Sequence, residues 1–259
     1  MWNLNLTLSQ WILGGIAGIF VGFSKTGMPG AGIVVVPLLA EAFGGRQSVG
    51  TMLPMLLVAD VFAVAWYRRD AQWNQLLRLA PWVLVGMVLG AVVLKLTGEV
   101  SPQKDRMDQI IGILVLLMLG LHVARQRMGD RLTPHSKVAV AAVGTSAGFT
   151  TTASNAAGPI MTIYLRAMDM PKAQFMGTTA WFFMSVNALK LPVFIGLSIA
   201  NPSNPIMNGR TLAVDVALLP FIVMGAVSGR WLLHRLPQKL FDVLVLLLAA
   251  VGAIRLVIR

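Results

Sequence analysis

The sequence predicts an all-α polytopic membrane protein built as two inverted-topology repeats, each a broken-helix hairpin followed by three transmembrane helices. Three observations carry this. The first is composition: 56% of the 259 residues are hydrophobic and only 12% charged, against about 25% charged in ordinary globular domains. A mean hydropathy of +0.75 fits a surface solvated by lipid rather than water. The second is segregation, since the charges cluster in short stretches between long apolar runs. The third is an internal repeat of ordered motifs.

Six runs are long enough to cross as helices: 49–67, 76–96, 108–124, 174–200, 212–234 and 240–257. Four shorter runs come in pairs, 11–22 with 31–43 and 137–149 with 156–168. A 13-residue helix is about 20 Å long, short of the roughly 30 Å hydrocarbon layer. Each pair therefore reads as a hairpin, over 11–43 and 137–168, either re-entrant or crossing with help from its neighbours.

The halves, 1–130 and 131–259, share motifs in the same order. "GFSKTGMPGAG" faces "GFTTTASNAAG", and "VGTMLPMLLVAD" faces "MGTTAWFFMSVN". "LAPWVLVGMVLG" faces "ALLPFIVMGAVSG", aligning Pro81 with Pro220, Gly86 with Gly225 and Gly90 with Gly229. "PQK" recurs at Pro102–Lys104 and Pro237–Lys239. A hairpin returns the chain to its starting side and three spans change sides, so the second repeat starts from the opposite face. Cations are denser on the side receiving Arg68, Arg69, Arg78 and Lys172 than on the side receiving Arg46, Lys95 and Arg210. The positive-inside rule makes the first side cytoplasmic and puts both termini outside. The first segment, "MWNLNLTLSQ", lacks the basic region of a cleavable signal, so the first apolar run is expected to be retained.

Paired broken helices in inverted repeats are the arrangement of secondary transporters, whose sites lie near the bilayer midplane. The first tip offers Ser24, Lys25 and Thr26, and the second Thr151, Thr152, Ser154 and Asn155. Neither tip carries a carboxylate. Pro29 near the first tip, and Ser154 or Asn155 as an N-cap near the second, read as helix starts whose N–H groups face the same space. Glycines such as Gly27, Gly30, Gly32 and Gly158 allow close backbone approach. A lysine, hydroxyls and helix N-termini make an anion site. The alternative is that Lys25 snorkels to the interface and the hydroxyls bond their own backbones. Thr51 and Thr178, at matching "GT" positions, are candidates to line the same cavity.

Asp60 aligns with Asn187 and reads as a coupling carboxylate, as the partner of a buried lysine, or as an interfacial acid paired with Arg68 or Arg69. Lys190 is a second cation for the anion, a partner for Asp60, or a snorkelling residue. The net charge of +11 is assigned to lipid headgroups, with no nucleic-acid partner expected. No Walker loop, HExxH or His/Cys cluster is present, and the chain has no cysteine. No catalytic residue, metal or cofactor is therefore expected. A homo-oligomer is left open.

Across "GFSKTGMPGAGIVVVPLLA", "VGTMLPMLLVAD" and "GFTTTASNAAGPIMTIYL…FMGTTAWFFMSVNALKLPVF", the chain resembles the TauE/SafE family of sulfite exporters and related anion permeases. That resemblance covers nearly the whole chain. It implies a bacterial inner-membrane carrier for sulfite, sulfonates or other sulfur-containing anions. Many members have a glycine-richer first motif where this chain has Ser24-Lys25-Thr26-Gly27. The expected function is alternating-access export of such an anion, with Asp60 or Lys190 as candidates for proton coupling. The alternatives are an uptake permease for another small anion such as a carboxylate, or a non-transporting assembly subunit.

Overall fold

The computed structural model describes residues 6–27, 31–99, 106–128, 136–232 and 238–258. Among them are ten α-helices and no strand. In the first half these are α1 (Leu8–Thr26), α2 (Val35–Phe43), α3 (Gly45–Tyr67), α4 (Trp73–Gly98) and α5 (Met107–Met128). The second half repeats the order with α6 (Lys137–Ser154), α7 (Gly158–Arg166), α8 (Lys172–Ala200), α9 (Gly209–Leu232) and α10 (Gln238–Ile258). Five described helical stretches are long and apolar enough to cross a bilayer: Gly45–Asp70, Trp73–Gly98, Met107–Ala124, Lys172–Ala200 and Gly209–Gly229. The sixth expected span, 240–257, falls inside α10, whose described apolar stretch is the shorter Val245–Ile258. The "PQK" at Pro102–Lys104, together with Pro237, lies outside the described residues.

The hairpin arms differ from expectation in one respect. α1 has 19 residues, about 28 Å, and α6 has 18. Both run well past the apolar stretches 11–22 and 137–149. The reason is local hydrogen bonding. Ser24 Oγ donates to the Val21 carbonyl at 2.9 Å, and Thr26 Oγ1 to the Gly22 carbonyl at 3.1 Å. In α6, Thr150 Oγ1 donates to Ser146 O at 2.7 Å and Ser154 Oγ to Thr150 O at 3.0 Å. Hydroxyls satisfied on the preceding turn let a helix stay buried after its hydropathy has ended. The return arms α2 and α7 are short, nine residues each. Both first arms start from side-chain caps: Thr7 and Gln10 form a capping box on α1, and Ser136 accepts from Ala139 N at 3.0 Å on α6.

Helices of one half pack on those of the other. The most extensive crossings are α4 with α6 and α1 with α9, followed by α5 with α10 and α3 with α8. Exchanging the halves leaves this list of partners unchanged. Glycines line the two most extensive crossings. A Cβ on Gly225 would lie 2.8 Å from the Ile19 Cα, and one on Gly22 2.9 Å from the Gly225 carbonyl carbon. A Cβ on Gly86 would lie 2.7 Å from Phe149 N, and one on Gly148 3.0 Å from Met87 N. The aligned pair Gly86 and Gly225 thus performs one task in both halves. The outside is apolar, with Val85, Val88, Leu89 and Val92 of α4 all exposed, while Asp60, Asn187 and Lys190 are wholly buried. Polar residues turned inward with apolar ones outward is the membrane-protein arrangement.

Candidate functional site

The C-terminal ends of α1 and α6 meet α3 and α8 in the interior. On α3, Met52, Leu56 and Asp60 follow at four-residue spacing and share a face. On α8, Thr179, Phe183, Asn187 and Lys190 do the same at spacings of four, four and three. These stripes face each other. Asn187 Nδ2 donates to Asp60 Oδ2 at 2.6 Å, so two residues aligned between the halves are in contact.

Lys25, in the last turn of α1, places Nζ 2.9 Å from Asp60 Oδ1. The same ammonium lies 3.8 Å from the Phe183 ring centroid, a cation–π contact in a desolvated setting. Lys25 is about one-tenth exposed and Asp60 not at all. The interfacial reading of Asp60, paired to Arg68 or Arg69, is therefore corrected, as is snorkelling by Lys25. Each finds its partner inside the protein. Lys190 does not snorkel either: its side chain is fully buried, and it donates to Thr151 O at 3.0 Å, Thr151 Oγ1 at 3.2 Å and Asn155 Oδ1 at 2.6 Å.

The second break is also organised differently from expectation. Neither Ser154 nor Asn155 is an N-cap: Ser154 ends α6 and Asn155, at φ 57°, is its left-handed C-cap. Asn155 N donates to Thr151 O at 3.0 Å, a helix-end closure that favours Asn or Gly. α7 starts at Gly158 with Pro159 in its first turn and no side-chain cap. The first break begins after Thr26 and resumes with a 3₁₀ turn at Ala31–Val34. Pro29 and Gly30 lie outside the described residues.

Between the breaks is a small cavity of about 50 Å³, lined by residues of both. Of the expected site residues, Ser24, Lys25, Thr151 and Asn155 line it. Met52, Leu56, Thr179, Ala180 and Phe183 complete the wall with Gly32, Ile33 and the start of α7. Others lie elsewhere. Thr26 Oγ1 donates to Ala226 O at 2.7 Å, tying α1 to α9. Gly27 packs where a Cβ would come within 2.6 Å of Gly229 O. Thr152 packs against Gly90, and Ser154 bonds its own helix. Thr51 is buried without lining the cavity. Thr178 Oγ1 accepts from Gln72 N at 2.9 Å and holds the loop after α3. Sequence reasoning chose Thr51 and Thr178 over their neighbours Met52 and Thr179. The helical spacing to Asp60 and Asn187 was the signal that identifies the lining positions.

A helical, lipid-facing chain with two broken helices meeting at buried charges belongs to the class of polytopic membrane transporters. The profile of the family described as Sulfite exporter TauE/SafE matches residues 14–256, and the chain belongs to that family. Membership implies a multi-pass membrane exporter of sulfite or a related anion. Searches of curated proteins and of solved structures return no match.

Proposed function

We propose that this protein carries a small sulfur-containing anion, sulfite or an organosulfonate, outward across the bacterial inner membrane by alternating access. The observation that carries this is the buried Lys25–Asp60 pair at 2.9 Å, beside a cavity lined by both helix breaks. A buried ammonium is costly unless paired, and here Asp60 pairs it. An incoming anion competes with that carboxylate for Lys25. A proton on Asp60 removes the competitor, so proton and anion are bound together. The Thr151 and Thr179 hydroxyls and the second N–H of the Asn155 amide offer donors around the cavity, and the apolar wall of Met52, Leu56 and Phe183 favours an anion with few hydrogen-bonding edges. Asn187 orients Asp60 through its 2.6 Å hydrogen bond.

The exchange of helix partners between halves supports the division at about residue 130 and the inverted arrangement, in which the breaks approach from opposite faces. The cation-rich Arg68–Arg69 face is then cytoplasmic. The test is exchange of labelled sulfite and a labelled sulfonate by purified protein in proteoliposomes, with carboxylates as competitors. Exchange that is insensitive to carboxylates and lost in Lys25→Ala is expected. Exchange retained by a folded Lys25→Ala variant removes the site assignment, and stronger competition by carboxylates moves the substrate class.

A further inference from the structure

Lys190 is placed as a ligand would be. Its ammonium has three N–H groups and three oxygen partners: the Thr151 carbonyl, the Thr151 hydroxyl and the Asn155 carboxamide, at 2.6–3.2 Å. Among the described residues no carboxylate lies within ion-pairing distance of it, and Asp60 pairs instead with Lys25. All three oxygens come from the last turn and C-cap of α6, the negative end of a half-helix. The Asn155 amide is held by its other end, since Nδ2 donates to Val49 O at 3.1 Å. Only this orientation puts a donor on the carbonyl and an acceptor on the ammonium. The backbone turn that presents Asn155 is itself left-handed, at φ 57°.

Backbone carbonyls at the C-terminal ends of broken helices hold the coupling cation in transporters with discontinuous helices, and here a hydroxyl and a carboxamide oxygen add to such a carbonyl. Here the occupant is tethered to α8. The repeat alignment strengthens the reading: aligning Gly22 with Gly148 places Thr151 opposite Lys25. One break carries its cation on its own helix, and the other receives it from α8.

We propose that the oxygen cage at the end of α6 is a monovalent-cation site permanently filled by the Lys190 ammonium, which frees the carrier from any sodium or potassium requirement. This goes beyond the anion reading, because it rests on the geometry of the second break and holds whichever anion is carried. Removing the ammonium while leaving space opens the cage to an alkali cation; filling the space with an apolar chain does not.

The experiment measures the thermal unfolding of the purified full chain by tryptophan fluorescence in sodium, potassium or choline chloride at equal ionic strength. Wild type and Lys190→Met are expected to unfold at the same temperature in all three salts. Lys190→Ala is expected to gain about 3–6 °C in sodium or potassium over choline, at a concentration about ten times its Kd. Lys190→Ala combined with Asn155→Ala should lose that gain. Equal unfolding of Lys190→Ala in all three salts overturns the proposal. So does a cation-specific shift in wild type, or one that survives Asn155→Ala. Failure of Lys190→Ala to fold in sodium and potassium as well as choline overturns it too, since no cation has then replaced the ammonium.

Discussion

Lys25 and Asp60 are 35 positions apart, and nothing local brings them together; burial of α1 against α3 does. A buried pair of this kind is most vulnerable when half of it is removed, at a cost of about 3–5 kcal/mol, because the remaining charge stays desolvated. Lys25→Met is therefore expected to lower stability by about that amount, whereas Lys25→Met combined with Asp60→Asn should recover much of the loss. Thermal unfolding of the three proteins in one detergent checks the sign of the coupling. A double variant no more stable than Lys25→Met would show that the pair is not the controlling interaction. The candidate residues Lys25, Asp60, Asn187 and Lys190 were legible in the sequence as rare polar side chains within apolar runs. A lysine partner for Asp60 was legible too; that it is Lys25 rather than Lys190 was not. Sequence spacing reports which residues share a helix face, but not which face a distant helix presents to it.

At the scale of elements, the structure depends on two glycine-mediated crossings, α1 on α9 and α4 on α6. Bulk at Gly148 or Gly225 must push two backbones apart, so Gly148→Leu is expected to abolish folding or cost several-fold in yield of monodisperse protein. Gly120 and Gly196 sit within helices, and a Cβ there meets nothing within 4 Å. Alanine at either should be tolerated and add roughly 0.5–1 kcal/mol through helix propensity. Size-exclusion profiles and melting temperatures separate the two classes. Spans 76–96 and 174–200 were legible to within a few residues of α4 and α8, because long apolar runs define themselves. The lengths of α1 and α6 were not, since hydropathy cannot see hydroxyls bonded to their own helix, as at Ser24 and Thr150. Nor was the cap at Asn155, a residue type that serves both helix starts and helix ends.

In the proposed topology of the whole molecule, the loops at Arg68–Gln72 and Asn201–Asn208 face opposite sides of the membrane. The chain has no cysteine, so single cysteines can be introduced without a background. Ala71→Cys is expected to react with an impermeant maleimide only from the cytoplasmic side, and Ser203→Cys only from outside. Labelling of both from one side would undo the topology. The proposed repeat was read from motif order; the list of main helix partners is unchanged when the halves are exchanged. What no single-chain pattern reveals is the coupling between the halves, which resides in contacts such as Asn187–Asp60 and Asn155–Val49.

In the proposed mechanism an anion and the Asp60 carboxylate compete for Lys25. The most direct measurement is binding of a sulfonate, whose own charge does not change near neutrality, across pH in wild type and Asp60→Asn. Protonation of Asp60 removes the competitor, so wild-type affinity is predicted to rise as pH falls, while Asp60→Asn binds tightly with little pH dependence. Binding that weakens on acidification, or the same pH dependence in both proteins, would contradict the account.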